Sequence, residues 1–281
     1  MDLWVLCLVL LAAVMHAGWN TLVKSGGEPF IRLAITNGFG GLVMLGPALY
    51  LGLPDPASWP FLFGSMVVHL AYYAFLSYGY RVADLSLLYP IARGSAPPLV
   101  ALGAFLMAGE RLTPLGIVSI SLISFAIALM AMRLPRSEET GRAVGVALIV
   151  GALIAGYSVL DGMGARQSSN ALSYIAWMFV LDGLLLVTWA AGRYGRLAYA
   201  TVRGHWKQGV ASGFLYTFAY GLVVWAMSIS PMTYVSALRE TSVIVAALIG
   251  TRLLNEPFGG QRLVSACLVA VGVVLLQFSH P

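Results

Sequence analysis

The amino-acid sequence predicts an all-α membrane protein, with ten transmembrane helices arranged as two inverted five-helix repeats. Three observations predict it. Of 281 residues, 59% are hydrophobic and 10% are charged, whereas an ordinary soluble domain has about a quarter of its residues charged. Apolar runs of membrane-spanning length recur along the whole chain. The two halves also resemble each other. A soluble fold cannot hide this much apolar surface, but a bilayer accepts it on every outward face.

A spanning helix needs about 20 apolar residues. The first half supplies runs at 3–23, 30–51, 59–80, 83–107 and 114–132; the second supplies 143–160, 171–192, 204–228, 233–254 and 258–278. The chain starts Met1-Asp2-Leu3-Trp4, without the basic segment of a signal peptide. The first run has the length of a span, so it is read as a transmembrane helix. Gly26-Gly27-Glu28-Pro29, Pro54-Asp55-Pro56, Pro135 and Asn255-Glu256-Pro257 punctuate the runs. Residues 1–133 then form the first repeat, 134–142 a polar linker, and 143–281 the second repeat.

The repeat rests on rare residues. A shift of 146 positions lays Arg93 on Arg239 and Glu110 on Glu256. At another shift, Ala17-Gly18-Trp19-Asn20 resembles Ala155-Gly156-Tyr157-Ser158. Five spans per half is an odd number, so the second half enters the membrane from the opposite side, as in transporters built from inverted repeats. Of the 16 Lys and Arg residues, twelve fall on one side: Lys24, Arg32, Arg81, Arg133, Arg136, Arg142, Arg193, Arg196, Arg203, Lys207, Arg252 and Arg262. Arg111 and Arg166 fall on the other, and Arg93 and Arg239 lie within spans. Excess positive charge marks the cytoplasmic side, which puts both termini on the far side. The net charge of +5 is thereby explained by orientation, with no nucleic-acid partner.

Each half ends in a recognisable segment. These read Leu106-Met107-Ala108-Gly109-Glu110-Arg111-Leu112-Thr113 and Leu253-Leu254-Asn255-Glu256-Pro257-Phe258, each followed by a last span spotted with Gly and Ser. With the ten short spans, they resemble the EamA branch of the drug/metabolite transporter superfamily over nearly the whole chain. More distantly, His16-Ala17-Gly18-Trp19-Asn20 and Leu88-Tyr89-Pro90-Ile91-Ala92-Arg93-Gly94 are similar to membrane proteins associated with phosphonate utilisation. The resemblance implies secondary transport of small metabolites, often export, without ATP, through a cavity lined by both halves. It also implies a bacterial cytoplasmic (inner) membrane. Members are often drawn with cytoplasmic termini, opposite to what the loop charges here indicate.

Ionisable groups inside a bilayer are expensive and mark cavities or partners. Arg93 lies in mid-span among Pro90, Pro97 and Pro98, where the helix is expected to bend or break. It either holds a ligand or is tied to backbone carbonyls. Tyr89 shares its face. Arg239 is the repeat counterpart. Its neighbour Glu240 points elsewhere on the helix and would bind a substrate ammonium, carry a proton, act as a gate or pair with Arg93. Gly94 is the first-half equivalent of Glu240, which makes Arg93 the less compensated arginine. His69 and Tyr73 form one polar stripe with Tyr72, Leu76 and Tyr80. His16, Trp19 and Asn20 form a second, and Tyr216 and Tyr220 a third; packing is the alternative for each. Asp182 is a further candidate for proton coupling or a structural role, and His16 joins it as a coupling or gating candidate. Glu110 and Glu256 read as structural.

No catalytic or nucleotide-binding motif occurs, and Cys7, Cys267 and the four histidines have no metal or disulfide spacing. No cofactor or metal is expected, and an embedded enzyme is disfavoured. The expected partners are the lipid bilayer, a small-molecule substrate and protons, for a monomer or homodimer. The reading is a transporter of a small zwitterionic or anionic metabolite (amino-acid-like, carboxylate or phosphonate), with a flippase for a lipid-linked sugar or phosphate as the alternative.

Overall fold

A computed structural model describes residues 2–24, 28–82, 85–129, 138–242, 245 and 260–279. The side chains of Tyr89 and Arg262 lie outside that description, as do Arg133, Arg136, Arg252 and Glu256 entirely. The helices are α1 (Leu3–Lys24), α2 (Pro29–Leu51), α3 (Trp59–Val82), α4 (Leu85–Ala108), α5 (Pro114–Leu129), α6 (Glu138–Gln167), α7 (Ala171–Tyr194), α8 (Arg196–Ile229), α9 (Met232–Arg239) and α10 (Gly260–Gln277). A short 3-10 turn, Pro56–Ser58, precedes α3. Among the described residues there is no strand.

Among the described residues, seven helices are long and apolar enough to cross a membrane: α1, α2, α3, α4, α6, α7 and α8. The α5 helix and the 264–277 part of α10 are shorter apolar helices. Half of the ninth expected span, 233–254, lies outside the described residues. The surface is apolar, and charge is found inside the apolar core: Leu42, Phe63, Val67, Leu102, Phe105 and Leu184 are exposed, whereas Arg93, Asp161, Arg239 and Glu240 are buried. Lipid in place of water outside gives this arrangement a physical reason.

Chain punctuation behaves as expected at several ends. Pro29 occupies the first turn of α2, where its missing N–H costs nothing. The α2 and α4 helices stop at Gly52 and Gly109, with φ of 77° and 66°, values a side chain disfavours. Asn170 caps α7 by accepting from Leu172 N at 3.0 Å.

Three expectations need correction. The sixth span, read as 143–160, runs on to Gln167, so Asp161 and Arg166 are helical. Gly162 and Gly164 within this extension serve close packing. A Cβ at Gly162 would stand 2.4 Å from Met232 Sδ, and one at Gly164 2.3 Å from a Tyr174 ring carbon. The second correction is that α4 continues as helix through Pro90, Pro97 and Pro98. The interruption lies instead in the second half. There α9 ends at Arg239, and Glu240 N and Thr241 N turn back to Ala237 O and Leu238 O in tighter bonds before Val245 N reaches Thr241 O. Third, Arg32 is no loop cation. It is 5% exposed and donates to Leu22 O at 2.9 Å and to Gln208 Oε1 at 2.8 Å.

The two ends of the bundle carry different ties. At one, Arg81 and Tyr194 both donate to Glu28. At the other, Ser169 donates to Asp55 through its N–H and its hydroxyl. Those bonds, the hydroxyl's first, hold the Asp55 carboxyl below the usual carboxylate range. At this same end Glu110 accepts from Arg166 Nη2 at 2.7 Å, Met232 N at 2.9 Å and Thr233 N at 3.3 Å. Arg166 also donates to Met227 O in the last turn of α8 and to Ser230 O just beyond it. Glu110 thus caps α9, a structural role.

Candidate substrate pocket and buried charge clusters

A narrow pocket lies between α1, α3, α4 and α6. It is lined from Tyr80 and Leu88, beside the α3–α4 connection, inward to Tyr72, His16, Asn20 and Arg93. Ala92, Val150 and Ile154 complete its apolar wall. In α1, Trp19 Nε1 donates to His16 Nδ1 at 3.2 Å and Asn20 Nδ2 to His16 O at 2.8 Å, one helical turn apart in each case. These bonds fix the α1 stripe against the pocket.

Behind the pocket is a basic cluster. Arg93 Nε lies 2.8 Å from Glu240 Oε2, and Arg239 Nε lies 3.6 Å from Glu240 Oε1. Arg93 Nη2 donates to Ser242 Oγ at 2.9 Å, and Arg239 Nη1 to Ser158 Oγ at 3.4 Å. Exposure is 3% for Arg93, 1% for Arg239 and 0% for Glu240. The expectation that Arg93 is the less compensated arginine is overturned, because its contact with Glu240 is the shorter one. The register with Gly94 misled, since the compensating carboxylate arrives from the other half of the chain rather than from α4.

A second, acidic cluster lies deeper. His69 Nδ1 stands 2.8 Å from Asp182 Oδ2, and His69 Nε2 stands 3.8 Å from Asp161 Oδ2. Tyr220 and Tyr174 donate to Asp161 at 2.5 and 3.1 Å. Asp161 is 0% exposed. Beside this cluster, Tyr73 donates to Asn37 Oδ1 at 2.9 Å and meets Tyr216 Oη at 2.8 Å. Trp19 packs edge-on against Tyr216, with ring centroids 5.3 Å apart. Tyr157 stands between the two clusters. Its ring lies 4.3 Å from His69, 5.3 Å from Tyr72 and 5.6 Å from Tyr220.

The residues singled out in the sequence therefore divide into groups. His16, Asn20 and Arg93 line the pocket; Arg239 and Glu240 lie behind it. His69, Asp182 and Tyr220 belong to the acidic cluster, and Trp19, Tyr73 and Tyr216 to the aromatic layer beside it. Tyr89 falls outside the described side chains. Sequence reasoning missed Asp161, Tyr157 and Asn37. Tyr157 and Asp161 are four residues apart, the spacing that would have put both on one face had the sixth span been extended.

Comparison with known proteins agrees with this geometry. Residues 142–278 match the EamA-like transporter family. One solved crystal structure, described in no more specific words than as that of a protein, is 17% identical. It aligns with a TM-score of 0.77 over 98% of this chain and 96% of its own, which establishes a shared fold. No curated protein sequence matches significantly. This is an integral membrane protein, and its residues 142–278 are an EamA domain of the drug/metabolite transporter superfamily.

Proposed function

We propose that the protein is a secondary transporter that moves a small anionic or zwitterionic metabolite by alternating access. The carrying observation is the pocket that ends on Arg93. Two arginines and one glutamate leave the basic cluster with a formal charge of +1. A carboxylate or phosphonate on the pocket side would neutralise it, and a guanidinium matches such groups with paired donors. Tyr72, Tyr80, His16 and Asn20 supply polar tips and flat walls for the rest of a small molecule.

Helix pairing supports an inverted repeat divided into residues 1–133 and 143–281, with α6 taking up the end of the 134–142 linker. Exchange of the first five helices with the last five turns most of the larger packing pairs into other observed pairs or into themselves. The α1–α8 pair becomes α6–α3, and α4–α6 becomes α9–α1. The α2–α8 pair becomes α7–α3, while α2–α7, α4–α9 and α5–α10 map onto themselves. A two-fold arrangement of this kind lets one site face either side.

The functional test combines binding and flux. Purified protein should be stabilised against heat by small carboxylates or phosphonates, and proteoliposomes should move the stabilising compound downhill without ATP. Stabilisation by cations alone, or a strict ATP requirement, would overturn the reading.

Orientation follows the loop charges, with both termini non-cytoplasmic. In a background where Cys7 and Cys267 are replaced by alanine, a cysteine at exposed Ala57 should react with an impermeant thiol reagent on intact cells. A cysteine at exposed Gly141 should be protected. The opposite pattern would invert the assignment.

A further inference from the structure

We infer that the His69–Asp161–Asp182 cluster is a proton-binding site whose proton balances the charge of an anion held at Arg93. The coupling rests on the proposed anion pocket, whereas the proton site stands on its own geometry.

Two carboxylates here share one imidazole, and all three side chains are at most 3% exposed. Asp161 is served by the hydroxyls of Tyr174 and Tyr220. Asp182 is not: no donor bonds its Oδ1 among the described residues. A buried carboxylate oxygen without a donor is costly. A proton taken from solvent into the cluster lowers its net charge and relieves that cost.

The described side chains packed on the cluster are aromatic, hydroxyl or amide groups. The α3 helix brings Tyr72 and Tyr73 beside His69, α6 brings Tyr157, and α8 brings Tyr216 and Tyr220. Across the cluster, α2 presents the amide of Asn37. Beyond the cluster, the charges that also act on Tyr157 are those of Arg93, Arg239 and Glu240. Nor do the described acidic and imidazole groups converge as a metal site.

Counting these charges gives the coupling. The basic cluster sums to +1, and the acidic cluster with a protonated His69 sums to −1. The core is then neutral. An anion arriving at Arg93 makes it −1, and one proton taken up by the acidic cluster restores neutrality. Net charge in a dry core is expensive, so the two species are favoured together.

The chain contains its own comparison. At nearly the same offset (37 to 182, 69 to 216, 73 to 220), each half contributes to two equivalent triads. One is Asn37, Tyr73 and Tyr216, joined by hydrogen bonds of 2.9 and 2.8 Å. Its mate is Asp182, Tyr220 and His69. The neutral triad shows that packing at these positions needs no ionisable group. Its mate carries two, and Asp161 beside them makes three.

The test is infrared difference spectroscopy on the purified protein as pH is lowered from mildly alkaline to mildly acidic. A protonated-carboxyl band should grow in. It should vanish or shift in Asp182→Asn, a change that installs the side chain found at position 37 and so preserves the fold. No band, or an unchanged band in Asp182→Asn and in Asp161→Asn, would overturn the proton site. Arg93→Gln should keep the band even if anion binding is lost, which separates this inference from the pocket reading. For coupling, methylphosphonate added in weak buffer should draw protons into the wild type and not into Asp182→Asn. Binding seen as thermal stabilisation but without proton uptake would overturn the coupling. If no acidic compound binds, the pocket reading falls and the coupling with it, while the infrared band still decides the proton site.

Discussion

Replacement of Glu240 by glutamine should destabilise the protein by about 3–5 kcal/mol, the usual cost of removing one partner from a buried ion pair. Glu240 is fully buried and is the only acidic group within ion-pair distance of Arg93 and Arg239 among the described residues. The Glu240→Gln change keeps size and hydrogen-bonding capacity but raises the cluster from +1 to +2. Two guanidinium groups would then repel each other in low dielectric. The double variant Glu240→Gln, Arg239→Met returns the cluster to +1 and should recover much of the loss. The readout is the melting temperature of purified protein in one detergent. If the single variant melts like the wild type, water or lipid headgroups screen the cluster and it is no closed ion pair. If the double variant melts lower than the single one, charge is not the cause of the loss.

Much of this architecture was legible in the sequence because membrane burial leaves a coarse signal. Spans of fixed length, glycine and proline at breaks, and the pairing of Arg93 with Arg239 needed no side-chain detail. The candidate site was legible in type more than in partnership. The α3 stripe brought out His69 and Tyr73 because helical spacing puts them on one face. Their partners come from helices α2, α6, α7 and α8, and no local pattern gives the rotation of one helix against another. Asp161 was lost for a different reason. The sixth span reads as ending at 160, yet the helix runs on through Gly162 and Gly164, which make room for neighbouring side chains. In a tightly packed membrane bundle, small residues mark close approach as often as they mark a turn. The three prolines in α4 misled likewise, for α4 stays helical and the tightened turn falls beside Arg239. Proline identity reports a missing donor, and neighbouring helices can absorb that cost.

Arg93→Lys should weaken binding of the stabilising anion about ten- to a hundredfold, the scale of one lost charge-assisted hydrogen bond, with the fold retained. Arg93 reaches two ways: its Nε lies against Glu240, Nη2 donates to Ser242, and the side chain also lines the pocket. A guanidinium can hold the internal partners and present a further edge to a ligand. A lysine ammonium is a single point with three donors and cannot span both. Lysine at position 93 should therefore keep its pair with Glu240, because that pair is internal and always present, and give up the ligand. Arg239 differs. It is 1% exposed, lies outside the pocket lining and contacts Ser158 and Glu240. The Arg239→Lys change should cost more in melting temperature and less in affinity. Both variants need both measurements, on purified protein with the same anion. If Arg93→Lys binds like the wild type while Arg239→Lys loses affinity, the ligand lies on the other arginine. If neither variant changes affinity, the two arginines are structural and the anionic-substrate reading fails.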